Sequence, residues 1–183
     1  MSALVSFERV FEVLDLEPLV KDSPDAIALP RGRASVEFEN VTFRYPMADE
    51  VSLASLEGVA RSDAYGSEDL VLNGISFTAE PGHLVALVGP SGSGKTTTTA
   101  LVARFYDPTS GVVRIAGQDI AHVTQESLHS VVGVVTQDSH MFHDTIRANL
   151  AYANPRATDE DMWKACEEAQ IAQMIHDLPQ GLD

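Results

Sequence analysis

An alternation of apolar and polar residues marks a segment in the first third of the chain. Between Ser35 and Tyr45 the apolar positions are Val36, Phe38, Val41 and Phe43, with a break at Asn40. A period of two is typical of a strand that buries one face and exposes the other. We therefore predict a half-buried antiparallel strand over residues 35–45, and a second strand over residues 70–78.

Two later segments are apolar almost without interruption. Residues 84–88 and residues 131–135 consist of Leu, Val, Ala and Gly, which is typical of strands buried on both faces of a sheet. Residues 112–116 form a further predicted strand, which is followed by a turn at residues 117–119.

Apolar residues three and four positions apart predict the helices. They recur through residues 2–17 and through residues 97–106, where the inner face contains Leu101, Val102 and Phe105. Thr158 is a suitable N-cap for the last long helix. The inner-face residues of that helix and its continuation are Met162, Cys166, Ala169 and Ala172. Shorter helical stretches are expected at residues 127–130 and 171–178.

Two stretches between these elements lack a periodic pattern. Residues 21–33 contain two prolines and a glycine among charged residues, which predicts a linker. Residues 47–69 are rich in serine and in charged residues, and we expect a mobile insertion loop there.

The charge balance limits the possible partners. The net charge is −15, from 27 acidic and 12 basic residues, which argues against nucleic acid or an anionic membrane surface as a direct partner. The chain has one cysteine, Cys166, and no apolar run of roughly 18 residues, so we expect no internal disulfide and no membrane span within it. It ends at Gly181-Leu182-Asp183 without a helix cap or a polar tail, which suggests a fragment.

A glycine-rich motif between a predicted strand and a predicted helix is the clearest indication of a binding site. The pattern G-x-x-x-x-G-K-[ST] is matched by Gly89, Pro90, Ser91, Gly92, Ser93, Gly94, Lys95 and Thr96. The glycines allow successive backbone N–H groups to converge on one anion, and the helix N-terminus that follows adds partial positive charge. Lys95 would contact the β- and γ-phosphates of a nucleotide, and the Thr96 hydroxyl would ligate Mg²⁺. We therefore predict a nucleotide-phosphate site.

Two other residues are placed where they would complete such a site. Tyr45 ends the first predicted strand and is either a packing residue or an aromatic platform for an adenine ring. Gln137 follows the strand predicted at residues 131–135, beyond the carboxyl end where open α/β sheets bind ligands. It is either a contact to the Mg²⁺-nucleotide or a solvated loop residue.

With these residues placed, the chain resembles the N-terminal part of the nucleotide-binding domain of an exporter-type ABC transporter. The resembling segments are ERVFEVLDLEP, VEFENVTFRYP, LVGPSGSGKTTTTALVARFYDPTSG, VGVVTQDSHMFHDTIRANLAYA and ATDEDMWKACEEAQIAQMIHDLPQGLD. In the family these are the helix after the last membrane span, the strand ending in the adenine-stacking aromatic, the phosphate loop with its helix, the Q-loop, and the start of the helical subdomain. The implied fold class is α/β, with a P-loop NTPase core, an antiparallel β subdomain and the start of an α-helical subdomain.

The resemblance assigns roles to the candidate residues. It implies ATP and Mg²⁺ as cofactors, with Tyr45 as the adenine contact and the phosphate contacts running from Gly89 to Thr97. The catalytic residues would be Lys95 and Gln137, and the Mg²⁺ contacts would be Thr96 and Gln137.

The resemblance also implies a domain organisation and partners. Residues 1–33 would descend from an upstream membrane domain, and residues 34–183 would form part of an ATP-binding domain, with the Q-loop region and helical subdomain at residues 139–183. The partners would be the transmembrane domain, contacted through Met141 and Phe142, and a second nucleotide-binding domain. The parent protein would hydrolyse ATP at the cytoplasmic face of the cell membrane and drive export.

The sequence departs from the family pattern in three places. It contains no LSGGQ-like signature and no apolar strand ending in Asp-Glu, so we expect the chain alone to bind nucleotide at most and to have negligible turnover. Thr136 replaces the usual proline before Gln137, and the insertion at residues 47–69 is longer than usual. Two other functions stay open: a soluble cassette ATPase, and a non-catalytic nucleotide-binding regulatory module.

Overall fold

The computed structural model describes residues 7, 10, 11, 14, 18–47, 69–136 and 140–183. Gln137 and most of the predicted insertion at residues 47–69 lie outside the described residues, so what was expected of them stays a prediction. The chain divides into two compact units, Met1–Val134 and Val135–Asp183. Within the helix predicted over residues 2–17, the four described positions are helical and exposed.

The first unit contains an antiparallel sheet with the strand order β2-β1-β3-β4. Its strands are β1 Val36–Phe43, β2 Leu72–Ala79, β3 Ser110–Ile115 and β4 Gln118–Asp119. β1 pairs with β2 on one side and with β3 on the other. The predicted antiparallel β subdomain is therefore confirmed.

The alternation along β1 is reproduced in its packing. Phe38, Val41 and Phe43 are buried in the core of this unit, whereas Glu39 is exposed. The predicted break at Asn40 is a bulge, because the register of β1 shifts around this residue against both neighbouring strands. Asn40 has a φ of 47°, a left-handed conformation that asparagine adopts more readily than most residues.

Two helices complete the core of the first unit. They are α1, Lys95–Val102, and α2, Gln125–His129. Leu101 and Leu128 have no exposed surface and pack into the core that the inner face of the sheet supplies. α1 ends before the predicted limit at residue 106, because Arg104 turns into a left-handed conformation with a φ of 52°. Phe105 is consequently 53% exposed and does not join the inner face of the helix.

The two strands predicted to be buried on both faces are absent from the described sheet. Neither residues 84–88 nor residues 131–135 are assigned as strand. Leu84 is 100% exposed and Val135 is 99% exposed, so these side chains are not covered by another layer. A strand exists only where a neighbouring strand satisfies its N–H and C=O groups, and no described strand lies beside either segment. This part of the sequence prediction is wrong for the chain as it stands.

The segment predicted to be a linker is packed against the first unit. Ile27 forms a parallel bridge with Val123, and its N–H donates to the carbonyl of His122 at 2.9 Å. Leu29 is buried in the core, and its N–H donates to the Ser127 hydroxyl at 2.9 Å. The domain boundary predicted at residue 33 stays a prediction.

The second unit is helical. Its helices are α3 Ile146–Ala153, α4 Asp159–Glu168 and α5 Ala172–His176. Its small core contains Met162, Cys166, Ile175 and Leu182, whereas Ala169, predicted on the inner face, is exposed because it follows the last turn of α4. Within the described parts of the chain, the helices are all too short or too polar to span a membrane.

Candidate functional site

The glycine-rich loop leads directly into the N-terminus of α1. Gly94 is the N-cap of this helix and has a φ of 83°, and no side chain caps the helix by a hydrogen bond. The first N–H groups of an α-helix lack partners within the helix and carry partial positive charge. An uncapped helix N-terminus behind a glycine loop is a typical arrangement for binding a phosphate group.

Gly94 is also the point at which the loop touches β2. A Cβ atom at this position would lie 2.6 Å from Leu72 Cδ2 and 3.2 Å from the carbonyl oxygen of Val71. Both the left-handed backbone and the lack of space therefore require glycine here. Gly92 has a similar φ of 80°, but a Cβ there would meet nothing within 4 Å. The loop thus lies against the end of the sheet at Gly94 and is open to solvent at Gly92.

The side chain of Lys95 folds back across the loop. Its ammonium group donates to the carbonyl of Gly89 at 2.9 Å, to the carbonyl of Pro90 at 2.7 Å and to the Ser93 hydroxyl at 3.3 Å. These three bonds hold a positive charge over the loop and fix the curvature of the loop around it. The arrangement places one cation over an exposed loop that leads into an uncapped helix N-terminus.

The threonines that follow Lys95 have different environments. Thr96 is exposed, so its hydroxyl is accessible to a ligand or a metal ion. Thr97 and Thr98 are each 5% exposed. The Thr98 hydroxyl donates to the carbonyl of Gly94 at 2.9 Å, which closes the first turn of α1.

Tyr45 lies next to this helix. Its hydroxyl and the Thr97 hydroxyl form a hydrogen bond of 2.9 Å. Its ring is nearly perpendicular to the rings of Phe43 and Tyr106, with centroid distances of 5.0 Å and 5.3 Å. The structure therefore brings Tyr45 and the phosphate loop together, while its role as an adenine contact stays a prediction. The Tyr45–Thr97 bond is not predictable from the sequence, because no local signal pairs these two positions.

Met141 and Phe142 lie in the second unit and are 62% and 50% exposed. The backbone of Phe142 is held on both sides by Asn149, whose Oδ1 accepts from the Phe142 N–H at 2.8 Å and whose Nδ2 donates to the Phe142 carbonyl at 3.1 Å. The Phe142 ring packs on Tyr152, which is 75% exposed. The result is an exposed aromatic surface on a braced loop.

The described residues contain no group of three or more His, Cys, Asp or Glu side chains that would hold a metal ion. Of the two residues predicted to contact Mg²⁺, the structure describes only Thr96, whose hydroxyl is exposed. Few protein ligands are ordinary for Mg²⁺, which retains waters and binds substrate phosphates.

Comparison with known proteins finds similarity to ABC transporters. The ABC transporter family model matches residues 72–182. The chain is 42% identical over 180 residues to the ATM1-type heavy metal exporter of Novosphingobium aromaticivorans, covering 98% of the chain and 26% of that protein. It is 37% identical over 180 residues to the ATP-dependent lipid A-core flippase of Desulfotalea psychrophila, covering 98% of the chain and 28% of that protein.

A solved structure supports the same assignment. The chain superposes on the structure of a bacterial Atm1-family ABC exporter with ATP bound, with a TM-score of 0.80 and 41% identity, over 100% of this chain and 29% of that one. The chain thus spans less than a third of the length of these relatives. The fold is that of an ABC ATPase domain, an α/β P-loop NTPase fragment. The chain belongs to the ABC transporter family.

Proposed function

We propose that the chain is the ATP-binding part of an exporter ATPase whose parent couples ATP binding and hydrolysis to transport across a membrane. The observation that carries this proposal is the uncapped N-terminus of α1 with the Lys95 ammonium group held over the loop before it. This arrangement favours an anion with several negative oxygens, and a nucleoside triphosphate supplies one.

The phosphates of ATP would lie on the backbone N–H groups between Gly89 and Thr97. Lys95 is bonded to loop oxygens, so its charge lies over the loop before a ligand arrives, and its ammonium group would exchange one or more of these bonds for a phosphate oxygen. A preorganised charge is what stabilises a phosphoryl group during transfer. Thr96 would hold Mg²⁺, which neutralises charge on the phosphates when bound. Gln137 would contact Mg²⁺ and the attacking water.

The base of the nucleotide would stack on Tyr45. The hydrogen bond to Thr97 supports this proposal, because it holds the Tyr45 side chain beside the helix that begins at the phosphate loop. We take ATP rather than GTP as the ligand because a stacking aromatic and the resemblance to ABC exporters both favour adenine.

Two protein partners follow from the same proposal. The exposed surface at Met141 and Phe142 would contact a transmembrane domain, and a second nucleotide-binding domain would complete the catalytic site. Residues 1–33 would connect to the membrane domain, and the site would lie at the cytoplasmic face of the membrane. The chain alone would bind ATP without turning it over, since its 183 residues contain no LSGGQ-like signature.

Titration calorimetry with ATP and Mg²⁺ tests this proposal on the 183-residue chain. We expect Lys95→Ala to weaken ATP binding by roughly 10- to 100-fold, the value of hydrogen bonds from a charged group. Lys164→Ala removes an exposed lysine from α4 in the second unit and serves as the matched control. Equal affinity of the Lys95 and Lys164 variants, with both folded by circular dichroism, would refute the proposal.

A further inference from the structure

The hydroxyl of Thr97 has a different hydrogen-bond partner from the hydroxyls of Thr98 and Thr99, which follow it in α1. Thr98 donates to the carbonyl of Gly94, and Thr99 donates to the carbonyl of Thr96 at 2.9 Å. Both bonds stay within the helix, as is usual for threonine in a helix. The Thr97 hydroxyl instead meets the hydroxyl of Tyr45, which is 52 positions earlier in the chain.

This bond fixes the one free end of the Tyr45 side chain. The ring is already bounded by Phe43 and Tyr106, which it meets at interplanar angles of 82° and 89°. The backbone before it is fastened as well, because the Arg44 N–H donates to the Thr109 hydroxyl at 3.2 Å. With the phenol end bonded to Thr97, the ring is held from three directions.

The position of Thr97 connects the restrained Tyr45 ring to the phosphate loop. Thr97 follows Lys95 by two residues and lies in the first turn of α1, next to the phosphate loop. It is 5% exposed, so the Thr97 side of its bond to Tyr45 is shielded from competing water. The position of the ring relative to the phosphate loop is therefore set by a short, partly buried connection.

We propose that Thr97 is a positioning residue for recognition of the nucleotide base. Its hydroxyl holds the Tyr45 ring at a fixed place relative to the phosphate loop, so that base and triphosphate are bound as one rigid unit. The inference rests on the proposed function, because it requires Tyr45 to contact the base. Loss of the bond weakens ligands that carry a base more than it weakens base-free triphosphate.

The test compares MgATP with magnesium tripolyphosphate, which has the phosphates but no base. Thr97→Val removes the hydroxyl and keeps the shape, Thr97→Ser keeps the hydroxyl, and Tyr45→Phe keeps the ring without its hydroxyl. Thr99→Val is the matched control, since the Thr99 hydroxyl bonds only within α1. Each affinity is measured by calorimetry on the full chain, with folding checked by circular dichroism.

We expect Thr97→Val and Tyr45→Phe each to weaken MgATP roughly 2- to 10-fold, the range for one hydrogen bond. Tripolyphosphate affinity should fall less than MgATP affinity in both variants, Thr97→Ser should restore MgATP binding, and the double variant should lose no more than either single one. Equal weakening of both ligands by Thr97→Val would overturn the inference, because Thr97 would then act on the phosphates directly.

Two further results separate this inference from the function on which it rests. MgATP binding that Thr97→Val leaves unchanged would overturn the inference alone. A folded wild-type chain that binds neither MgATP nor tripolyphosphate would overturn the proposed function, and the inference with it.

Discussion

The buried guanidinium group of Arg104 donates to the backbone carbonyl of Lys21 at 3.0 Å, across 83 positions of sequence. The same group donates to the carbonyl of Val123 at 3.0 Å and to Asp107 at 2.9 Å. Its side chain is only 2% exposed. One arginine just beyond α1 therefore holds together three separate stretches of the first unit, including the segment whose composition predicts a linker.

Arg104→Met should destabilise the first unit strongly. Methionine has a side chain of similar length but no guanidinium group. The carbonyls of Lys21 and Val123 therefore lose the donor that they share. One buried and one partly buried acceptor that lose a charged donor cost about 3 kcal/mol together. The free energy of unfolding in urea measures the effect, and Arg156→Met, at an exposed position in the second unit, is the control. Similar midpoints for the two variants would contradict the role given to Arg104.

Gly94→Ala should remove phosphate binding by displacing the loop. An added Cβ would meet Leu72 Cδ2 at 2.6 Å and the Val71 carbonyl oxygen at 3.2 Å, at a φ of 83° that alanine rarely adopts. Gly92→Ala has nearly the same φ, 80°, but meets nothing within 4 Å. The pair therefore separates steric displacement from backbone strain. We expect tripolyphosphate affinity to fall further in Gly94→Ala than in Gly92→Ala, and equal losses would exclude the contact with β2 as the cause.

The elements that the sequence predicts well are those whose pattern is local. The alternation in β1 and its break at Asn40 are properties of consecutive residues, and both are present in the structure. The apolar run at residues 84–88 indicates only that these side chains favour burial, not that a strand lies beside them to pair with. Bonds such as Tyr45 to Thr97 connect distant positions through single hydroxyls. No periodic pattern encodes such a bond, so it becomes visible only once the chain is folded.

Asn149→Ala should loosen the loop that carries Phe142. The amide of Asn149 bonds the N–H and the carbonyl of Phe142, and also donates to the carbonyl of Thr145 at 2.9 Å. Without it, the Phe142 N–H should exchange with solvent roughly tenfold faster, since about 1.4 kcal/mol corresponds to a factor of ten. Hydrogen exchange followed by NMR measures this rate. Asn73→Ala in β2 is the control, and unchanged exchange at Phe142 would show that Asn149 does not brace the loop.

Asp161 should make part of the stability of α4 dependent on pH. The Thr158 N–H donates to the Asp161 carboxylate at 2.9 Å, and the Asp161 N–H donates to the Thr158 hydroxyl at 3.2 Å, which forms a capping box. The Thr158 hydroxyl also donates to the same carboxylate at 2.7 Å. The hydrogen bond from the Thr158 side chain, followed by that from its backbone, lowers the pKa of Asp161 below its ordinary value of 3.8. Because the folded-state pKa is lowered, the carboxylate stabilises the helix above about pH 4 and loses that effect as pH falls through the lowered value.

Thr158→Val tests this origin of the shift. It removes the hydroxyl donor, so the pKa of Asp161, followed by NMR titration of its carboxyl carbon, should rise toward 3.8. Thr145→Val is the matched control, because Thr145 also caps a helix in this unit but has Ala148 at the position where α4 has Asp161. If neither variant changes the pKa of Asp161, or if both change it equally, the Thr158 hydroxyl is not the cause of the lowered pKa.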